Sequence, residues 1–446
     1  MNNRRRAWLL LTSTSAVASA VALGCGPSAG TPDANPDNVD PISVQPTAPG
    51  GRPVLVATHG DGGAATGDAG SKAPGDGSAP PEGDASDAPT GVTGVTQAAL
   101  MPMISQGLPA YTNYVETPAS SAVDTDYSTV WRTGHVPAPG DSNWLAIDLS
   151  SVPVAMRTTV YSVWFNEYGY NYDTSGASSY TLPGDFAIEA SAAPGGTQPP
   201  SSGWTALVSA TGNLLSSGGN LLNLAGYNWV RFECTASAAN VAAQNTDTSL
   251  QWNLYDAHVG NDGWKFTGDS ITANSMGHQL TNDSFDQLVH AKIANNPAFE
   301  MGGDAGWSTA TMLANIDAFL ANFPGLYFGL SLGTNDAPGN DPAAYGVNMG
   351  QLVDKILAAG KVPVVPTIPY TGEPAHADIP AYNAEIATLY ATYGAKLVKG
   401  PDLYTVIYDG RATMFTNPTD LHPNATGNAA IRQAWATAMI ANVYGE

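Results

Sequence analysis

Trp264-Lys265-Phe266-Thr267-Gly268-Asp269-Ser270-Ile271-Thr272 decides how the chain is read. A short, largely apolar run ends in Gly-Asp-Ser, and a polar stretch with Asn274 and Ser275 follows. A buried strand that ends this way delivers one serine to the open C-terminal edge of a sheet, where ligands of α/β proteins bind. Gly268 permits a tight turn in which a bulkier residue would crowd the backbone. Ser270 would then turn its hydroxyl to solvent and its own N–H toward a developing oxyanion. The same three residues also fit an ordinary strand-to-loop turn, so the rest of the chain must arbitrate.

Downstream stand Gly306 in Ala305-Gly306-Trp307-Ser308-Thr309, then Gly333-Thr334-Asn335-Asp336, then Asp420-Leu421-His422-Pro423. Each follows an apolar run or precedes a helical pattern. In order, these blocks resemble those of the SGNH, or GDSL, hydrolase family, in which Ser, Gly, Asn and His carry the chemistry. The resemblance covers about residues 262–446. It implies that Ser270 is the nucleophile and His422 the base, with Ser270 N–H, Gly306 N–H and the Asn335 amide as oxyanion donors. A serine hydroxyl needs such a base to react near neutral pH. Of the seven histidines, His422 alone lies in a loop leading into the final helix. His258, His278 and His290 suit structural roles, and His376 sits in the loop 372–378, which could border the cleft.

The third member stays open. The family's aspartate stands three residues before the histidine; here that position is Thr419, and Asp420 stands two before. Asp420 orienting the imidazole from a shifted loop is the first expectation. A main-chain carbonyl in a dyad and Asp409 are the alternatives. Asp336 and Asp269 are read as fixing their local turns.

The pattern around these blocks alternates strand and helix. Strands are expected at 265–268, 298–301, 326–332, 361–366 and 396–399. Helices are expected at 284–294, 309–322, 341–359, 379–393 and 425–444. Such alternation implies a parallel sheet covered on both faces. Upstream, residues 98–262 change character. Leu145, Ile147 and Leu149 alternate with polar or small neighbours, as do Phe186, Ile188 and Ala190, and Val230, Phe232 and Cys234. Period two between Gly, Pro, Ser and Asn breaks predicts an antiparallel β-sandwich. Asp124 to Trp131, Trp144 to Leu149 and Asp185 to Ser191 resemble a discoidin-type, galactose-binding-like jelly roll. That resemblance implies a carbohydrate-binding-like domain, with Tyr168, Tyr170, Tyr172 and Tyr180 available to stack on a sugar ring or pack on the second domain.

The N-terminal part reads as export machinery. Arg4, Arg5 and Arg6 precede an apolar run from Ala7 to Ala22. The run ends at Val21-Ala22-Leu23-Gly24-Cys25, which resembles a bacterial lipobox whose cysteine is acylated. Residues 1–25 are thus expected to be a lipoprotein signal peptide. Residues 26–97 are dominated by Gly, Pro, Asp, Ser, Ala and Thr and are read as a disordered tether. As a coil of roughly 70 residues it would span about 45 Å. With Cys25 lipidated, Cys234 has no partner and is read as a small buried hydrophobe. The net charge of -22 argues against nucleic acid, which needs a basic patch. No motif for a metal, phosphate or dinucleotide appears, so no cofactor is expected. Taken together, the sequence predicts four segments: signal 1–25, linker 26–97, sandwich 98–262 and hydrolase 263–446. The expected reaction is hydrolysis of a small ester, such as an O-acetyl group on polysaccharide. A lipase or thioesterase of the same fold is the alternative, as is a surface carbohydrate-binding protein with a decayed site.

Overall fold

The computed structural model describes residues 98–446 except 138–139, 167–182, 212, 214–216, 237–247, 278–282, 294–295 and 340. Before residue 98 it describes one antiparallel pair, β1 (Ser43–Val44) with β2 (Leu55–Val56). That pair falls inside the stretch read as a disordered tether, and its second strand lies in the apolar run Pro53-Val54-Leu55-Val56-Ala57. The remaining residues of the signal and linker readings, Cys25 included, lie outside the described residues, as do His278 and the four tyrosines at 168–180. The chain divides into two units, Met1–Asn38 and Val39–Glu446, and everything below belongs to the second.

Two antiparallel sheets follow. The first contains β3 (Ala110–Thr112), β5 (Asn143–Asp148), β7 (Asp185–Ser191), β8 (Thr205–Ala210) and β10 (Trp229–Ala236), in the order β3-β5-β10-β7-β8. The second contains β4 (Trp131–Arg132), β6 (Val160–Phe165), β9 (Ser217–Leu222) and β11 (Ser249–Asp256), in the order β4-β11-β6-β9. The period-two residues explain the pairing. Phe232 of β10 lies opposite Leu145 of β5 and Ile188 of β7, so the apolar positions of three strands share one face. They meet Trp164, Trp252, Leu250 and Leu254 of the second sheet in one apolar cluster. Cys234 is part of that cluster, and burial pushes its thiol pKa far up, as suits an inert apolar side chain.

From Gly263 the topology changes to a parallel sheet. Its strands are β12 (Gly263–Gly268), β13 (Ala298–Gly303), β14 (Tyr327–Ser331), β15 (Val362–Val365) and β16 (Val398–Lys399), in the order β13-β12-β14-β15-β16. Among the described residues, seven helices accompany it: α1 (Ser270–Met276), α2 (Phe285–Ile293), α3 (Thr309–Ala321), α4 (Pro342–Ala358), α5 (Ile379–Tyr393), α6 (Leu403–Met414) and α7 (Ala425–Met439). Strand residues divide between the faces. Trp264, Phe266, Tyr327 and Val364 pack with α1, α2 and α7. Phe328, Leu330 and Val365 pack with α3, α4 and α5. The result is an α/β fold with three layers, a parallel sheet between two groups of helices.

The sequence reading missed two helices. Ser270–Met276 is too short and polar to show an apolar stripe, yet Asp269 caps it by accepting from the backbone of Ile271 and Thr272. Leu403–Met414 is rich in Tyr, Thr, Val and Ile and contains Gly410, residues that weaken a helical signal. The closing helix ends at Met439, and a π turn completes it to Tyr444.

The antiparallel part abuts the edge strand β13. Ser217 on β9 donates to the backbone carbonyl of Met301 at 2.9 Å, and the Tyr161 hydroxyl on β6 donates to the Glu300 carboxylate. Tyr161, Val163, Phe165 and Tyr255 share an apolar cluster with Phe319 and Phe323, so the two parts bury one continuous core. Among the described residues, no helix is long and apolar enough to cross a membrane.

Candidate active site

Strand β12 ends at Gly268, and a side chain there would collide with Thr272 and with the backbone carbonyl of Ser331. The missing Cβ lets α1 start directly at the sheet edge, with Ser270 as its first residue. The Ser270 hydroxyl lies 2.7 Å from Nε2 of His422, 152 residues away in sequence. Distance and atom pairing suit a base that removes the hydroxyl proton.

His422 reaches this place on a loop pinned at both ends. Asn424 caps α7 by accepting from Thr426 and Gly427, its backbone N–H donates to Met414, and its side chain donates to the carbonyl of Thr413. The segment 415–423 is therefore held as a closed excursion from the end of α6. The residue is exposed as a whole, yet enough protein surrounds the ring that desolvation holds its pKa below the ordinary histidine value. The charge of Glu373 opposes that depression, the neighbouring His376 adds to it, and Asp420 opposes it. A neutral imidazole at mild pH follows, which a general base requires.

Gly306 sits in the turn between β13 and α3 with φ of 71°, a conformation natural to glycine. The turn is held by Asp304, whose backbone N–H donates to the carbonyl of Gly268 at 3.1 Å and whose carboxylate accepts from Ala305 N–H at 2.8 Å. Burial pushes the Asp304 carboxyl up to about 6. Asn335 follows β14, and its side-chain amide donates to the carbonyl of Trp307 at 3.0 Å. That bond uses one amide hydrogen, fixes the plane, and leaves the second for a ligand.

Asp269 and Asp336 act as the joints between these turns. The buried Asp269 carboxylate accepts from Ile271 N–H at 2.9 Å and from Thr272 N–H at 3.4 Å. Burial raises its pKa to about 6, and hydrogen bonds from Thr334 and these amides offset part of that rise. Asp336 accepts from both the N–H and the hydroxyl of Thr309, tying the turn after β14 to the start of α3. Ser270, Gly306 and Asn335 thus stand on three turns that are hydrogen-bonded to one another.

Asp420 does not take the place expected of it. Its carboxylate accepts from the N–H of Asn417 at 2.7 Å and from the Asn417 side chain at 3.1 Å, closing a local turn. Two residues before the histidine, it faces back along its own loop, and it makes no hydrogen bond to the imidazole. Among the described residues, nothing hydrogen-bonds to Nδ1 of His422, so the main-chain dyad partner is not formed either. Asp409 is exposed on α6 and is not bonded to the histidine. Glu373, which sequence reasoning did not single out, is the carboxylate that acts most on His422. Its only sequence signal is its place in the loop already marked by His376.

The chain was compared with known proteins. Residues 266–430 match the model of the GDSL-like lipase/acylhydrolase family. Among solved structures, a psychrotrophic esterase from Pseudoalteromonas sp. is similar at 19% identity, over 40% of this chain and 97% of that one, with a TM-score of 0.33. An acetylxylan esterase from Geobacillus stearothermophilus is similar at 17% identity, over 42% and 95%, with a TM-score of 0.34. A protein from Bacillus subtilis is similar at 15% identity, over 74% and 87%, with a TM-score of 0.39. No curated protein matches the chain. The family match covers the β12 edge, the turns bearing Gly306 and Asn335, and the histidine loop, so the C-terminal part of this chain is a GDSL/SGNH hydrolase domain and the chain is an enzyme that hydrolyses esters.

Proposed function

We propose that the chain is an exported serine esterase that removes small acyl groups, O-acetyl groups on a polysaccharide in particular, through an acyl-serine intermediate. The observation that carries the reading is the 2.7 Å contact between the Ser270 hydroxyl and Nε2 of His422, at the C-terminal edge of the parallel sheet. Ser270 Oγ attacks the ester carbonyl as its proton passes to His422 Nε2. The carbonyl oxygen becomes an oxyanion held by the N–H groups of Ser270 and Gly306 and by the Asn335 amide. Collapse breaks the bond to the alcohol oxygen, which takes the proton from the imidazolium and leaves. Water then attacks the acyl-serine with His422 as base again, and the free acid and Ser270 are regenerated.

The lipobox-like Leu23-Gly24-Cys25 and the basic, then apolar, N-terminus support export and a lipid anchor in the cell envelope. The apolar core between the two antiparallel sheets supports reading residues 98–262 as a discoidin-like, jelly-roll sandwich beside the catalytic domain at 263–446. A substrate held on a polymer suits an enzyme held at a surface. A fluorophosphonate probe tests the chemistry: it should label the wild-type protein at Ser270, and Ser270→Ala should lose both the label and aryl-acetate hydrolysis, about 10⁶ in turnover. Near-normal hydrolysis by the folded variant would refute the assignment.

A further inference from the structure

The second ring nitrogen of His422 has no hydrogen-bond partner among the described residues. As Nε2 takes the serine proton, the ring becomes cationic and a nearby anion stabilises it. The sequence offers Asp420, but that carboxylate is engaged by Asn417 through both of its oxygens.

A second loop supplies another carboxylate. The N–H of Gly372 donates to the main-chain carbonyl of Asp420 at 3.0 Å, which laces the segment after β15 to the histidine loop. The next residue is Glu373, and it begins a single 3-10 turn, Pro374–His376, that carries His376 back toward it. Glu373 Oε2 lies 3.3 Å from Nδ1 of His376. That contact is poorly directed, because His376 Nδ1 is buried and makes no hydrogen bond. Glu373 is partly exposed and has no other bonded partner among the described residues, so it is free to swing. Its side chain is long enough to bridge between loops where the shorter, turn-bound Asp420 cannot.

We propose that Glu373 is the positioning carboxylate of this active site, facing His422 across the laced loops, and that Asp420 serves the turn rather than the imidazole. Three titratable groups act on the His422 ring through their charge: Glu373, His376 and Asp420, in that order of influence. Two are anions that favour the imidazolium, and Glu373 has the larger effect. His376 opposes it. The acid is thereby moved from the histidine's own loop to the loop after β15.

The inference rests on Ser270 and His422 being the reacting pair, so labelling and hydrolysis by the wild-type protein come first. Glu373→Gln, Glu373→Asp and Asp420→Asn are then compared in kcat and KM for an aryl acetate across pH. Glu373→Gln should lower kcat by about tenfold or more with KM little changed. Its acid limb of kcat/KM should move to lower pH, because a neutral amide no longer favours the protonated ring. Glu373→Asp should recover part of both effects, and Asp420→Asn should move the acid limb less than Glu373→Gln. A merely structural role would not move the acid limb. An unmoved limb with kcat within about twofold of wild type in Glu373→Gln, or a larger shift in Asp420→Asn, overturns the proposal while the serine esterase reading stands.

Discussion

Lys265 sits in β12, between Trp264 and Phe266, and is wholly buried. Its ammonium lies 2.5 Å from Oε1 of Glu300 on β13, whose side chain is 2% exposed. The other carboxylate oxygen accepts from the Tyr161 hydroxyl of the antiparallel part, and the ring of Phe319 lies 4.7 Å from the ammonium. Two charges without water are tolerable only as a pair with their hydrogen bonds in place. Lys265→Met keeps much of the volume and removes the cation. It should cost about 3–5 kcal/mol of unfolding free energy, because it leaves a buried anion uncompensated. Lys265→Met with Glu300→Gln removes both charges and keeps an acceptor for Tyr161. Its remaining loss should be about 1–2 kcal/mol, the cost of an amide imperfectly paired. The double variant is thus expected to recover about 2–3 kcal/mol over the single one. Urea unfolding of the full chain, followed by near-ultraviolet circular dichroism of its buried tryptophans, measures both. A single variant within about 1 kcal/mol of wild type, or a double variant no better than the single, would refute the view that this pair holds the two parts together.

Two further outcomes are expected. Asn335→Ala should lower turnover by roughly 10²–10³ with little change in KM, since its free amide hydrogen acts on the transition state; an effect confined to KM would make it a ground-state contact. If Cys25 is acylated as proposed, Cys25→Ser should release the protein from membranes in cell fractionation; continued partition with membranes would refute that anchor.

The alternation of strand and helix after residue 263 was legible because parallel strands buried on both faces are short apolar runs and their helices carry a stripe. The expected strand at 326–332 is Tyr327–Ser331, and the helix at 379–393 is found at those residues. Asp269 and Asp336 do fix their local turns, as residues beside a chain reversal are apt to. Helix α1 was not legible, because one capping aspartate and a packed edge decide it rather than a periodic stripe. The short pairing of Ser43–Val44 with Leu55–Val56 was missed because two residues carry no period.

By itself, the sequence determined the order of the turns and the residue types at their tips: serine after β12, glycine after β13, asparagine after β14 and histidine before α7. Those positions follow from local rules, since each turn is written in a few adjacent residues. The tertiary structure alone decided that Asp420 is engaged by its own turn and what joins the two parts. Spacing along the chain pointed to Asp420, but that side chain satisfies its own turn. Glu373 arrives from 49 residues upstream of His422 through one main-chain hydrogen bond. Likewise, nothing near Lys265 in sequence announces Glu300 or Tyr161. Charge pairing acts through space with a reach of a few ångströms, and only the folded chain sets which groups come that close.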